Sequence, residues 1–500
     1  MPERTYDFAG KTVLIMGLGR FGGGADATIY AVKAGAKVIV TDLASRQQLN
    51  KSIENLKKYP GIEYRLGSHE PADFEKADIV ITNPAVPRDN KFLEIARRAN
   101  KLVTFQINIF FELCPAQIIG ITGANGKSTT TALTAHLLRN QKSEVRRQKT
   151  ENTRYTIHKT QYENVWLSGN IGNQPLLTIL DKIKPNDLVV LELSSFQIEQ
   201  LAENHKAPEI ALLTNLTPNH LDRYHTFENY CNAKEKIFKY QKLKKERPAV
   251  SIFNAEDKIA AEWFEKYKNE SGRTCLKFST NYVSEKIRSV FPLPGRANLS
   301  NLAAALAIVR RFGVNDASII NSLPRFKALP HRLELVKEIN GVKWYNDSKA
   351  TTPDGAITAL EAFEEPVIII AGGYDKNLPF NEFGRRIVEK AKAAILIGQT
   401  APKIAEAIKE HKSKRAKEHK STRAQEHKSI SVKTGATSHK SQVTRTEIVK
   451  SLSDAVNLAN ELAETGDIIL LSPACASYDM FENYEQRGNE FTKLVKSLEK

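Results

Sequence analysis

Cysteine is scarce in this chain. Cys114, Cys231, Cys275 and Cys475 are its four, far apart and without a C-x-x-C pair. That excludes a disulfide framework, argues against a thiolate zinc site and suits a reducing compartment. Long apolar runs are also missing, since no stretch approaches the ~18 apolar residues that a membrane span needs. The start, MPERTYDFAGKTVLIMG, has no apolar segment ahead of a small-residue cleavage site. We therefore expect a soluble, unexported protein with no membrane span, cytoplasmic by default. At 500 residues, 41% of them hydrophobic, the chain exceeds what one core usually organises, so two to four domains are expected.

Acidic charge is the next thing in short supply. The net charge is +16, but between Ala401 and Lys450 thirteen Lys and Arg face five Glu, so half of the excess sits in one tenth of the chain. The tract repeats itself as Glu410-His-Lys-Ser, Glu418-His-Lys-Ser, Glu426-His-Lys-Ser and a decayed Ser438-His-Lys-Ser. With almost no apolar residues it cannot offset its own ordering entropy, so residues 410–441 read as a disordered, low-complexity insertion after the helix PKIAEAIKE. No nucleic-acid partner is expected; a basic nucleic-acid-binding NTPase is the rival from another functional class. A second polar stretch, 146–163, reads as a further insertion.

The remainder alternates buried strands with helical patterns. KTVLIMG, KVIVTD and ADIVITNPAVP predict a parallel sheet in a first segment; QIIGITG, DLVVLELSS and IALLTNLTP predict a second; PVIIIAGGYDK, AAILIGQT and DIILLSPACAS predict a third. The expected fold is α/β with three domains: a Rossmann-like unit over 1–113, a central P-loop ATPase-type domain over 114–327 and a Rossmann-like domain over 328–500.

Two glycine turns carry chemistry. GLGRFGG follows a strand, and Asp42 ends the next one, which is a dinucleotide fingerprint that could serve NAD or equally a UDP group. Gly123-Ala124-Asn125-Gly126-Lys127-Ser128-Thr129 joins a strand to a helix and supplies a triphosphate cradle: backbone N–H groups for the anion, Lys127 for the β/γ-phosphates and the Ser128 hydroxyl for Mg²⁺. The usual spacing G-x-x-x-x-G-K-[ST] would put a glycine where Ile121 stands. Glu192 at a strand end is a candidate Mg²⁺ ligand or an ordinary strand-end carboxylate. On the residues alone, His220 reads as a loop histidine and Lys234 as surface charge.

GANGKST, SGNIG, LELSSFQ, TPNHLDRY, NAKEKIF, PHRLE, NDSKATTP and LSPACASYDMFENYEQRGNEF occur in that order over nearly the whole chain. Together they resemble the Mur ligase family, whose ATP loop reads G-[TA]-N-G-K-[ST]. The resemblance implies a ligase that uses ATP and two Mg²⁺ ions to make an acyl phosphate, which an amino acid's amine then opens. Its motifs are similar to those of members that add D-glutamate to UDP-N-acetylmuramoyl-L-alanine in peptidoglycan precursor synthesis.

The resemblance also implies residue roles. Lys127, Ser128, Glu192 and His220 would serve phosphates and metal, with Lys234 carbamylated as a further metal ligand. Asn298, Asn301, Arg332 and Asp347 would lie around ATP; Gly19, Arg20, Asp42 and Asn170 around the UDP substrate. Lys349, Thr351, Lys376, Ser477, Tyr478 and Tyr484 would hold the amino acid. Arg20 and Phe21 stand where relatives have Leu and Thr, and Tyr478 and Tyr484 where they have Leu and Phe. No D-N-P-R box of the diaminopimelate-adding members appears. A monomer is expected, and the nearest alternative is another Mur or folylpolyglutamate-type ligase adding a different amino acid.

Overall fold

The computed structural model describes residues 6–498 except 20–21, 85, 152–161, 172–174 and 427–444; the side chains of 142–151 and 416–426 also lie outside the description. Its strands form three sheets. The first holds β1 (Thr12–Met16), β2 (Lys37–Asp42), β3 (Ile62–Leu66), β4 (Ile79–Thr82) and β5 (Leu102–Phe105), in the order β3-β2-β1-β4-β5. All its pairings are parallel. The second holds β6 (Gln117–Thr122), β7 (Val165–Gly169), β8 (Leu188–Glu192), β9 (Ile210–Leu213), β10 (Ala249–Asn254) and β11 (Arg273–Phe278), ordered β11-β10-β9-β6-β8-β7 and again parallel throughout. The third holds β12 (Glu334–Ile339), β13 (Val342–Asn346), β14 (Val367–Ala371), β15 (Ala391–Leu396), β16 (Arg445–Ile448) and β17 (Ile468–Leu471), ordered β12-β13-β17-β14-β15-β16. There only the β12–β13 pair is antiparallel.

Burial follows position in the sheet. The inner strands β4, β8, β9, β10, β14 and β17 are buried at every residue. This is why they read as unbroken apolar runs: helices cover both faces of a parallel sheet. Strand order also fixes where chemistry can gather, because loops leave the carboxyl ends of β1 and β6 beside strands that run off in opposite directions, the usual ligand crevice of such sheets.

The chain forms two compact units, 1–290 with 300–324, and 291–299 with 325–500. Within the first, the two parallel sheets share one apolar core that includes Val13, Ile15, Phe110, Ile118, Leu177 and Leu191.

The basic tract corrects the expectation of disorder from residue 410. A single helix runs Ala401–Glu426 through the first two repeats, and the rest of the tract lies outside the described residues. Ala, Lys, Glu, Arg and Gln are good helix formers that lose little side-chain entropy there. The first repeat is also docked: His411 Nε2 meets Asn381 Oδ1 at 2.8 Å, Lys412 Nζ donates to Thr446 Oγ1 at 3.1 Å and Arg415 Nη1 to the Val388 carbonyl at 3.0 Å. The 146–163 stretch likewise begins as helix Lys127–Glu151 and ends on buried Tyr162, with 152–161 outside the described residues.

Excising 417–441 behind a Gly-Ser linker of about six residues is expected to leave turnover within about twofold. Removing 410–441 takes the docked repeat as well and should lower the melting temperature by roughly 2–8 °C, the loss of two or three weak hydrogen bonds. A loss of kcat/KM beyond about tenfold from the shorter excision, with the fold intact, would show that the tract is more than a passive insertion.

Candidate functional site

Strand β6 delivers its carboxyl end between β8 and β9, so the turn 123–126 is walled by the segments that leave those two strands. Gly123 has φ +150°, and a Cβ there would come within 1.9 Å of Thr214 Oγ1; Gly126 has φ +80°, and a Cβ would meet Asn301 Oδ1 at 2.1 Å. Both positions therefore require glycine. Ile121, by contrast, is fully buried within β6, so the glycine moves from strand to turn because the turn is pressed onto β9's exit. Thr214 and Asn215 hold it there. Ala124 N–H donates to the Asn215 carbonyl (2.9 Å), Asn125 N–H to Asn215 Oδ1 (2.9 Å), and Thr214 Oγ1 to the Asn125 carbonyl (2.6 Å). Lys127 Nζ lies 2.8 Å from the Ala124 carbonyl, curled over the turn.

At the end of β8, buried Glu192 accepts from Ser128 Oγ at 2.5 Å and from Asn170 Nδ2 at 3.0 Å. Thr130 Oγ1 donates to Asn301 Oδ1 at 3.3 Å. Behind the turn lies Lys234, which is 1% exposed and donates to Thr122 Oγ1 at 3.1 Å; its Nζ sits 5.0 Å from the Tyr230 ring centroid. Burial, then the charge of Lys127, push this ammonium well below its ordinary range, with Glu192 acting in the opposite sense. So Lys234 is not the surface charge that its lysine-rich helix suggests: it occupies the inward face. His220, in left-handed backbone at φ +53°, packs against Phe196 at 5.1 Å and Tyr230 at 6.3 Å. Burial lowers its pKa; Asp222 opposes, while Lys234 and Lys127 reinforce.

In the first sheet, Gly17, Gly19 and Gly22 all have positive φ, and Gly19 N–H donates to Asp42 Oδ2 at 3.0 Å. Asp42 thus braces the glycine loop. Arg20 and Phe21 lie outside the described residues.

The second unit gathers another group at the ends of the neighbouring strands β13, β17 and β14. Asp347 accepts from Ser472 Oγ (3.0 Å) and Leu333 N–H (3.1 Å), and burial raises its pKa to about 7, partly opposed by those two bonds and by Arg332. His331 and Leu333 flank Arg332 in left-handed backbone, φ +62° and +43°, a cost of order 1–3 kcal/mol each that the surrounding bonds sustain. Lys349 Nζ donates to Tyr484 Oη at 3.2 Å and lies 4.9 Å from its ring centroid; burial lifts the phenol to about 12. Thr351 N–H donates to the Lys349 carbonyl at 2.9 Å, Ser477 is buried, and Lys376 is exposed. Tyr478, 63% exposed, meets Tyr374 edge to face at 6.0 Å. Asn298 Nδ2 donates to the Pro294 carbonyl at 2.8 Å.

Reading the sequence by motif missed the residue that knits this group together. Arg487, fully buried, donates to Ser348 Oγ (3.0 Å), the Ser348 carbonyl (2.8 Å), the Cys475 carbonyl (3.1 Å) and the Ala476 carbonyl (3.2 Å). It clamps the loop after β13 to the loop after β17, and burial brings its pKa down to about 10. The signal available was one arginine inside EQRGNEF, between apolar helix positions. Thr214 and Asn215 were missed too, although a polar pair directly after an apolar strand marks a strand-end loop.

A strand, a lysine-bearing glycine turn, a helix and a carboxylate at the adjacent strand end define an α/β protein of the phosphate-loop class. Residues 121–309 match the Mur ligase middle domain and residues 331–475 the Mur ligase glutamate ligase domain. The chain is 35% identical to the UDP-N-acetylmuramoylalanine–D-glutamate ligase of Roseiflexus sp. (strain RS-1), over 98% of this chain and 99% of that one. It is also 35% identical to the enzyme of the same name from Acetivibrio thermocellus, over 94% and 93%. Among solved structures it is similar in fold to the UDP-N-acetylmuramate-alanine ligase of Thermotoga maritima (TM-score 0.56, 18% identity, 97% and 99% covered). The chain belongs to the Mur ligase family. Among the described residues no helix is long and apolar enough to cross a membrane.

Proposed function

We propose that this protein is the ATP-dependent ligase that adds D-glutamate to UDP-N-acetylmuramoyl-L-alanine in the cytoplasm, for peptidoglycan precursor synthesis. The observation that carries this reading is the 35% identity, end to end, with relatives of that name. In the first step a carboxylate oxygen of the UDP substrate attacks the γ-phosphorus of ATP; the new O–P bond replaces the β,γ-bridging bond and ADP leaves. In the second, the amine of glutamate attacks the acyl carbon, a proton is lost, and the C–O bond to phosphate breaks.

The roles follow from the two groups of side chains. Backbone N–H groups of 126–129, at the start of the helix, hold the triphosphate, with Lys127 spreading its charge. Ser128 and Glu192 supply the hard oxygen donors that Mg²⁺ prefers. Among the described residues no three His, Cys, Asp or Glu side chains form a cage, which suits an ion held by few protein groups and by substrate phosphates. When bound, such an ion offsets the charge that develops on the transferred phosphoryl group; two ions are expected, with His220 and a carbamylated Lys234 serving the second. The three sheets support a division of labour over 1–113, 114–327 and 328–500: the UDP substrate at Gly19, Asp42 and Asn170, ATP at the phosphate loop and Asn301, and glutamate at Lys349, Thr351, Lys376, Ser477, Tyr478 and Tyr484; Asn298, Arg332 and Asp347, in the second unit, are further ATP residues that the family resemblance implies. Two lysines match a dicarboxylate, each giving a charge-assisted bond.

Phosphate release tests the reading. It should require ATP, UDP-N-acetylmuramoyl-L-alanine and D-glutamate together, with L-glutamate, L-lysine and diaminopimelate at background. Release that needs a different amino acid would move the protein within its family, and release stimulated by RNA or DNA alone would overturn the proposal.

A further inference from the structure

We propose that Asp26 is a positioning residue that ties the glycine loop after β1 to the loop carrying Asn170, so that both present one preorganised surface to the UDP substrate. This rests on the functional reading above, which assigns that substrate to these loops.

Asp26 stands in the first turn of the helix Gly23–Lys33 and is 9% exposed. Its carboxylate reaches 150 residues along the chain. One oxygen accepts from the N–H groups of Leu176 (3.0 Å) and Leu177 (2.7 Å); the other accepts from the N–H (3.1 Å) and the Oγ1 (2.6 Å) of Thr178. Four donors saturate a carboxylate's acceptor capacity. Three successive N–H groups aimed at one point form an anion nest, and here the anion is supplied by the protein. Negative charge is also favoured in the first turn of a helix, where Asp26 stands.

The tie meets the glycine loop on one side and the shared core on the other. A Cβ at Gly24 would lie 2.3 Å from the Leu18 carbonyl, so the helix's first turn is pressed directly onto the glycine loop. On the other side, Leu176 and Leu177 are buried in the core shared by the two sheets, six and seven residues past Asn170, whose side chain is held by Glu192. Removing the carboxylate would leave the buried N–H groups of Leu176 and Leu177 and the half-buried one of Thr178 without an acceptor, and the 176–178 segment would withdraw to find water.

The test uses the full-length protein with two variants, Asp26→Asn and Thr178→Val, reading KM for UDP-N-acetylmuramoyl-L-alanine and for ATP and amide exchange at 176–178. Asp26→Asn turns one acceptor into a donor facing N–H groups. It should raise KM for the UDP substrate about tenfold or more and leave KM for ATP within about twofold, because the ATP turn is anchored separately by Thr214 and Asn215. Exchange at Leu176, Leu177 and Thr178 should quicken. Thr178→Val keeps the backbone bonds and should raise the same KM a few-fold, which decides the matter if Asp26→Asn does not fold. Unchanged exchange, equal rises in both KM values, or a fall in kcat alone would overturn the proposal. If the parent enzyme does not use the UDP substrate, the functional reading and the substrate role proposed for Asp26 both fail, whereas a parent that turns over normally beside an unaffected Asp26→Asn defeats this inference alone.

Discussion

Lys234→Arg should abolish turnover, by about 10³-fold or more, roughly 4 kcal/mol of transition-state stabilisation, and should be no better than Lys234→Ala. On charge alone this is a conservative change. The site says otherwise, because Lys234 is 1% exposed, donates to Thr122 Oγ1 and has its ammonium destabilised by burial and by Lys127. An amine held neutral can add CO₂, forming an N–C bond and releasing one proton, and the resulting carbamate offers oxygen donors on the side of Glu192 and the phosphate loop. A guanidinium keeps the positive charge and cannot follow that route. Turnover of the parent should fall in CO₂-free buffer and recover with bicarbonate, and ¹³C-bicarbonate should give a carbamate resonance that Lys234→Arg lacks. A Lys234→Arg enzyme within a few-fold of the parent would sink this account.

Asp347→Asn should stabilise the protein increasingly as pH rises from about 4 to about 7. The folded-state pKa of Asp347 is raised from 3.8 to about 7. Below pH 4 both folded and unfolded chains hold the proton, so its contribution to stability is fully present there. Between the two values the folded chain binds the extra proton, stability falls with pH, and above about 7 the loss is complete. A gap of about three pK units corresponds to at most ~4 kcal/mol, which is at most about 8–16 °C in melting temperature for a unit of this size. Asparagine retains an acceptor for the Leu333 N–H and can donate to Ser472 Oγ, so the neutral network survives. Melting curves of parent and variant at pH 4.5 and pH 8 provide the measurement. Equal displacement at both pH values would show that Asp347 is ionised in the folded protein throughout.

Much of the fold was legible because inner strands of parallel sheets are buried on both faces. The runs TVLIM, QIIGIT, LVVLE and VIIIA could belong to little else, and their spacing implied the α/β class. The outer strands were not legible. β3 (IEYRL), β12 (ELVKEI) and β16 (RTEI) are edge strands with partly exposed, charged positions, and a short mixed segment carries no periodicity that separates it from a loop. The basic tract misled for a related reason: its polarity rules out a core, but it does not rule out a helix made of good helix formers.

At the candidate site the division falls differently. The sequence alone determined the phosphate loop, since a glycine turn, lysine and hydroxyl must be contiguous to use the end of a strand and the start of a helix. It also placed Glu192 at a strand end, whereas Lys349 and Ser477 were reached only through the family resemblance. Only the tertiary structure decided that Lys234 is an interior group, that Arg487 clamps two loops and that Asp26 reaches segment 176–178. In each case the deciding contacts join residues that are distant along the chain, and a side chain's charge says nothing about its burial until those partners surround it. Burial then fixes which protonation state survives, and so what chemistry the residue can take part in.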